Sequence, residues 1–202
     1  MKAYAAVVLA GGAARRMGGL DKPALPVGGV PMRERVLAAV ADAAPRVLVG
    51  PGPAPAGVRL TRESPPGGGP VAATAAGLAL LDPEVSAVAL LAADLPLLTR
   101  AAVGELLHHL DDASTIRSPV DGVCYLDQSG RRQSLCGVWR PAALRAALDR
   151  VRVRRGELAG ASLRDLFTGL AVRELRWSGD GLPPWFDCDT ERDLRWAEEW
   201  SR

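Results

Sequence analysis

Apolar positions in the first half of the chain follow a repeating order: a short continuous run, a turn, then a stretch with helical spacing. Residues 3–9 are apolar throughout and stop at paired glycines, the pattern of a strand covered on both faces of a parallel sheet. Over 31–44, Met32, Val36, Leu37 and Val40 recur at helical spacing, with Pro31 suited to a first helical turn. Strands are predicted at 46–49 and 58–61, a helix at 71–81 after the Pro/Gly cluster 64–70, and a buried strand at 86–92. Thr99 is placed to cap a helix over 99–110, with Glu105 available to its first turns. Such alternation predicts an α/β fold, a Rossmann-like three-layer α/β/α sandwich with a mostly parallel sheet.

The pattern loosens beyond residue 110. Strands are predicted at 114–118, 122–126 and 134–139, the last two joined by the turn Gln128-Ser129-Gly130 as a hairpin in a mixed sheet. Helices are expected at 141–150, 162–167 and 190–200, with a strand at 171–177. No internal repeat and no long linker divides the 202 residues, so one domain is expected. Within it, the regular stretch 1–110 and the looser stretch 111–202 form two halves.

Composition narrows the function classes. A hydrophobic share of 48% and a charged share of 24% exclude a disordered or fibrous chain. The net charge of +2 offers no general surface for nucleic acid, and any basic site must be local. The wholly apolar runs 3–10 and 87–93 are far below the ~20 residues that span a bilayer. A cytoplasmic protein without membrane contact is expected. Cys124, Cys136 and Cys188 are widely separated and the only histidines are the neighbours His108 and His109, so neither a disulfide framework nor a zinc site is expected. His108 and His109 are read as solvent-facing, and the tryptophans as packing residues.

The chemistry concentrates in Leu9-Ala10-Gly11-Gly12-Ala13-Ala14-Arg15-Arg16-Met17-Gly18-Gly19-Leu20-Asp21-Lys22-Pro23. A strand running into Gly11 and Gly12 brings bare backbone N–H groups to the carboxyl edge of a sheet, where phosphate oxygens can approach. The glycines are adjacent, unlike the dinucleotide fingerprint G-x-G-x-x-G. Lys22 stands between Asp21 and Pro23, unlike a Walker A lysine. What remains is a glycine turn with Arg15, Arg16 and Lys22, cations that can gather around a triphosphate, or else a solvated loop. A second landmark, Leu90-Leu91-Ala92-Ala93-Asp94-Leu95-Pro96, puts Asp94 just after a buried strand, on the same rim and suited to hold Mg²⁺ against a phosphate.

The string LAGGAARRMGGLDK resembles the signature loop of the nucleotidyltransferases related to molybdenum cofactor guanylyltransferase, which carry L-A-G-G, R-M-G and D-K at this spacing. The resemblance implies a nucleotide-diphospho-sugar transferase-like fold, with 1–110 as its nucleotide-binding half and 111–202 as its acceptor-binding half. It also implies that the backbone of Leu9, Ala10 and Gly11, continuing into Gly12, meets guanine and phosphates, and that Lys22 holds the nucleotide. Asp94 matches the family's metal- and nucleotide-binding aspartate. Glu63 aligns with an acidic position on the guanine base, where a carboxylate can accept from N1–H and N2–H together.

The chain also departs from the family pattern. Gly50 stands where the family carries an asparagine, so a base or ribose contact is missing; Gly50→Asn is expected to sharpen guanine preference. Asp187 and Asp189, in Trp185-Phe186-Asp187-Cys188-Asp189-Thr190, replace two asparagines. Positions i and i+2 share a face of an extended segment, so Asp187 is expected to join Asp94 on the metal, while Asp189 caps the last helix.

The implied activity is transfer of GMP from GTP to molybdopterin or its molybdenum form with release of pyrophosphate. Arg16, Lys22 and Asp94 are the catalytic set, Mg²⁺ the cofactor, and GTP and the cofactor precursor the partners, with room for transient contact with other cofactor-biosynthesis proteins. The alternatives are a transferase using CTP or another phosphorylated acceptor, and a nucleotide-binding regulator without turnover.

Overall fold

The computed structural model describes residues 3–11, 22–112 and 120–201. Gly12, Arg16 and the strand expected at 114–118 lie outside the described residues.

The continuous apolar runs form the sheet's centre. Strands β1 (Ala5–Leu9), β4 (Arg46–Val49), β5 (Val58–Thr61) and β6 (Val88–Ala92) are mutually parallel in the order β5-β4-β1-β6. β1 and most of β6 are fully buried, as strands covered on both faces must be. The sheet continues through β8 (Arg132–Trp139), β7 (Gly122–Leu126) and β9 (Val172–Arg176). Only β8 runs antiparallel to its neighbours, and β7 and β8 form the expected hairpin. One seven-stranded sheet therefore takes strands from both halves of the chain.

Alternate side chains divide two cores. Ala6, Val8, Leu48, Ala89 and Leu91 face α1 (Met32–Ala39) and α3 (Arg100–Asp112). Val7, Val47, Val49, Val88 and Leu90 face α2 (Pro70–Leu78), α4 (Pro141–Arg155) and α5 (Leu163–Phe167). The result is the expected three-layer sandwich. Helix α2 lies so close that a Cβ on Gly77 would stand 2.4 Å from Val7 Cγ1, which requires glycine there.

Several boundaries differ from the sequence reading. Pro26–Val27 (β2) and Val30–Pro31 (β3) form a small hairpin around Gly28 and Gly29, both at positive φ as a two-residue Gly-Gly turn requires. Pro31 is therefore a strand residue and the N-cap of α1, not part of its first turn. Helix α1 stops at Ala39 instead of 44. Beyond it, Asp42 accepts hydrogen bonds from the Tyr4 hydroxyl (2.7 Å) and Arg100 (3.2 Å), fastening the loop to β1 and α3. Thr99 caps α3 as expected, accepting from the Ala102 N–H at 3.1 Å, whereas Glu105 accepts from the Tyr125 hydroxyl. His108 is exposed and pairs with Asp112. The last helix, α6 (Glu191–Trp200), packs with β2 and α1 through a third small core of Val27, Met32, Cys188 and Ala197.

Candidate functional site

The carboxyl ends of four parallel strands form one rim. Backbone bonds carry the pairing past the strands: Ala10 N–H donates to Val49 O (2.7 Å), Gly50 N–H to Thr61 O and Ala93 N–H to Leu9 O (both 3.0 Å). Leu9, Ala10, Gly11, Gly50, Glu63 and Asp94 are thereby gathered on one edge from separate segments. Gly11 is exposed, and a Cβ there would sit 3.6 Å from Glu63 Oε1, so the acidic side chain lies directly beside the glycine turn. Glu63 Oε1 accepts from Gly67 N–H at 3.0 Å, fixing the carboxylate and the following Gly-rich turn together.

Gly50 contributes through its missing side chain. Its φ is +148°, and a Cβ would fall 2.8 Å from the Ala10 carbonyl carbon. Only glycine lets the end of β4 lie flush against the Ala10–Gly11 turn. This overturns the expectation that asparagine at Gly50 would restore a base contact: its side chain would strike the rim it was meant to complete.

Lys22 opens a short 3-10 helix (Lys22–Ala24) and turns its ammonium onto the rim. Its Nζ donates to Asp94 Oδ2 and to Asp189 Oδ1, each at 2.6 Å, and its side chain is only 13% exposed. Burial alone would lower the Lys22 pKa, but the bonds to Asp189 and Asp94 outweigh that and raise it, keeping the ammonium charged. Arg35 braces both segments, donating to Pro96 O beyond Asp94 and to Val27 O beyond Lys22.

Asp189 is not the cap of α6. Thr190 is: its hydroxyl accepts from Asp193 N–H, and the Asp193 carboxylate accepts from Thr190 N–H, a complete capping box. Asp189 is thereby released to face Lys22. The T-x-x-D spacing of Thr190 and Asp193 was the sequence signal for this arrangement. The segment before the helix is irregular rather than a strand, so the shared-face argument for Asp187 does not apply as stated.

Asp187 nevertheless joins the group electrostatically. Its carboxyl pKa is raised, first by desolvation from the atoms crowded around it although the residue keeps an exposed face, and then by the charges of Asp189 and Asp94, with Lys22 pulling the other way. The three acidic side chains exceed the one lysine among them. Among the described residues no group of three or more Asp, Glu, His or Cys is arranged to hold a metal ion by itself. Asp94 and Asp187, which line one cavity, offer the one or two carboxylates that Mg²⁺ takes when water and substrate phosphates complete its shell.

A raised carboxyl pKa means the folded state binds that proton more tightly than the unfolded chain. Stability is therefore lost as pH climbs from the unfolded value of 3.8 through the folded one. Asp187→Asn should raise the melting temperature at pH 7 without added metal, with the gain vanishing near pH 3; an equal gain at both would show that charge is not the cause.

Beside Asp94 and Asp187 opens a cavity of about 680 Å³, bounded by β8, α5 and Trp185. Gln133, Ser134 and Cys136 line it, as do Arg131 and Arg164, so it joins a carboxylate end to a cationic wall. Trp185 packs its ring 5.1 Å from that of Tyr125 and also borders a second cavity of about 510 Å³. The sequence reading assigned the tryptophans to packing. That holds for Trp139, fully buried against Phe167, while Trp185 is also a cavity wall.

A glycine turn, a Lys–Asp pair and an adjoining cavity stand together at the carboxyl edge of this mostly parallel α/β sheet, where open α/β sheets bind their ligands. Residues 6–171 match the profile of the MobA-like NTP transferase domain, and the chain belongs to that family. It is 30% identical over 205 residues to a molybdenum cofactor guanylyltransferase of Nitrobacter hamburgensis, covering 95% of this chain and 91% of that one. It is 29% identical over 204 residues to one of a Bradyrhizobium species, covering 95% and 90%.

Among solved structures, molybdopterin-guanine dinucleotide biosynthesis protein A of Archaeoglobus fulgidus superposes with a TM-score of 0.74 at 20% identity, covering 98% of each chain. The 2-C-methyl-D-erythritol 4-phosphate cytidylyltransferase of Thermus thermophilus gives 0.70 at 21%, covering 99% of each. These likenesses show the nucleotide-diphospho-sugar transferase-like fold. Among the described residues no helix is long and apolar enough to cross a membrane.

Proposed function

We propose that the chain transfers GMP from GTP to molybdopterin or its molybdenum form, releasing pyrophosphate. The observation that carries this reading is the Lys22–Asp94 pair, set where the Gly11 turn and a 680 Å³ cavity meet. The triphosphate lies along the Leu9–Gly11 turn, with Gly12 and Arg16 in the same signature loop. The acceptor occupies the cavity, and its terminal phosphate oxygen attacks the α-phosphorus as the bond to pyrophosphate breaks. Lys22 places positive charge on the phosphates, where electrostatic stabilisation carries most of the barrier reduction in phosphoryl transfer. Mg²⁺, held by Asp94 with Asp187 beside it, would supply Lewis-acid charge neutralisation. The acceptor brings its own nucleophile, so no protein base is required. Names of the two relatives support the guanylyl donor, the cavity supports a small-molecule acceptor, and a reaction between two such small molecules is placed in the cytoplasm as part of this proposal.

Glu63 tests the base. Its Oε1 is engaged by Gly67 N–H, and Glu63→Gln keeps an oxygen for that bond while removing the charge that would accept from guanine. The ratio of kcat/KM for GTP over CTP should fall roughly tenfold in this variant, the worth of one charged hydrogen bond. An unchanged ratio would remove Glu63 from base recognition.

A further inference from the structure

Only two of the 25 Lys and Arg residues are lysines, Lys2 and Lys22. In so arginine-rich a chain, a lysine on the rim has a physical meaning. An ammonium is a compact point charge that fits between two carboxylate oxygens at short hydrogen-bond range, whereas a planar guanidinium presents a wide fork. Lys22 Nζ does fit so, 2.6 Å from Asp94 Oδ2 and 2.6 Å from Asp189 Oδ1.

The contact is built into the fold from both sides. On one side Lys22 leads into Leu25 and Val27; on the other Asp189 lies between Cys188 and the Thr190 cap of α6. Val27, Cys188 and Ala197 are fully buried in one small core, with Leu25 and Leu194 packed against it. The two backbones that carry the ion pair are thus welded together 167 positions apart in sequence. Asp189 itself is 49% exposed, so the apolar core rather than the ion pair fastens the segments.

We infer that Lys22 and a divalent cation compete for Asp94, and that Asp189 is the positioning residue that holds Lys22 in the competing place. The inference rests on the reading of Asp94 as a metal ligand. An ammonium on Oδ2 repels a divalent ion approaching the same carboxylate, so metal alone binds weakly. Triphosphate oxygens offer Lys22 a stronger partner. When they draw it away, Asp94 is released to the metal that the triphosphate brings. Nucleotide and metal then load together, and free metal does not occupy the site in advance.

The experiment is Mn²⁺ binding without nucleotide, measured by calorimetry on wild-type protein and on Lys22→Met, which keeps length but not charge. Lys22→Met should bind Mn²⁺ at least roughly tenfold more tightly, the sign expected from removing one close positive charge. The two-lysine composition supplies a second arm that needs no Lys22 variant. In wild-type protein labelled with [ε-¹³C]lysine, Lys22 gives one of two signals and Lys2 serves as reference. Mg²⁺ should shift the Lys22 signal in proportion to metal occupancy. Asp189→Ala should shift it at an unchanged melting temperature, with Asp189→Glu restoring it in part.

Equal Mn²⁺ affinity in folded wild type and Lys22→Met, or no Mn²⁺ binding by the folded variant, overturns the inference. So does Mg²⁺ saturation that leaves the Lys22 signal unmoved, and this arm decides if the variant does not fold. An unmoved signal in Asp189→Ala removes Asp189 from the role. Failure of guanylyl transfer itself would appear in a turnover assay and leave these metal affinities untouched.

Discussion

Asp94→Asn is expected to lower nucleotidyl transfer at least about 100-fold, the cost of removing one preorganised charge-stabilising group, while the fold stays intact. An amide oxygen is a far weaker ligand for a hard divalent cation than a carboxylate. Asp94 follows the buried end of β6, but its own side chain is 24% exposed, so no core contact is lost. Lys22 retains Asp189 in the variant, and the amide oxygen still accepts from its Nζ, so both contacts of the lysine persist. Pyrophosphate release and a thermal melt on the same sample separate the effects. Wild-type turnover in Asp94→Asn would remove Asp94 from the chemistry, and a collapsed melt would make it structural.

Gly50→Asn should destabilise the protein by about 1–3 kcal/mol, the usual cost of forcing a side chain into a conformation only glycine takes readily. The backbone angle of +148° is one cause, and the 2.8 Å approach to the Ala10 carbonyl carbon is the other. Relief must come from moving Ala10 and Gly11, the turn on which the triphosphate is proposed to lie. GTP and CTP binding should therefore weaken together, with no sharpened preference for guanine. Denaturant melts and nucleotide titrations check both halves, and a variant as stable as wild type with improved GTP selectivity would refute this account of Gly50.

The contrast at Gly50 marks where sequence reading reached its limit. The strand at 46–49 was legible to the residue because Val47, Leu48 and Val49 form an apolar run buried on both faces, and the edge strand at 58–61 was found from its β-branched ends Val58 and Thr61 although none of its residues is buried. Asp94 was legible because it follows such a strand. Gly50 was identified as a departure from the family pattern, but its reason is a tertiary approach between β4 and the end of β1. The early end of α1 has the same origin, since Asp42 turns to Tyr4 and Arg100, contacts that no local periodicity encodes. The cavity was illegible for another reason. Arg131, Trp185 and Arg164 come from a turn, an irregular segment and a short helix, and only the sheet order places them around one space.

Asp189 shows the opposite error, a local rule applied one residue early. An aspartate just before a helix is a sound cap candidate, but Thr190 with Asp193 three residues on makes the complete box. Once the cap is assigned correctly, the acidic residue becomes available to the site. The Lys22–Asp189 contact thus depends on a helix cap, and the cap on the T-x-x-D spacing of Thr190 and Asp193.

The most direct measurement is transfer of label from [α-³²P]GTP to molybdopterin by the purified protein with Mg²⁺, with [α-³²P]CTP in parallel. The account predicts one GMP-bearing product and one pyrophosphate per turnover, with kcat/KM for GTP at least about tenfold above that for CTP, the discrimination expected of a charged hydrogen bond to the base. Equal or better use of CTP, or no label transferred from either nucleotide while both bind, would contradict it.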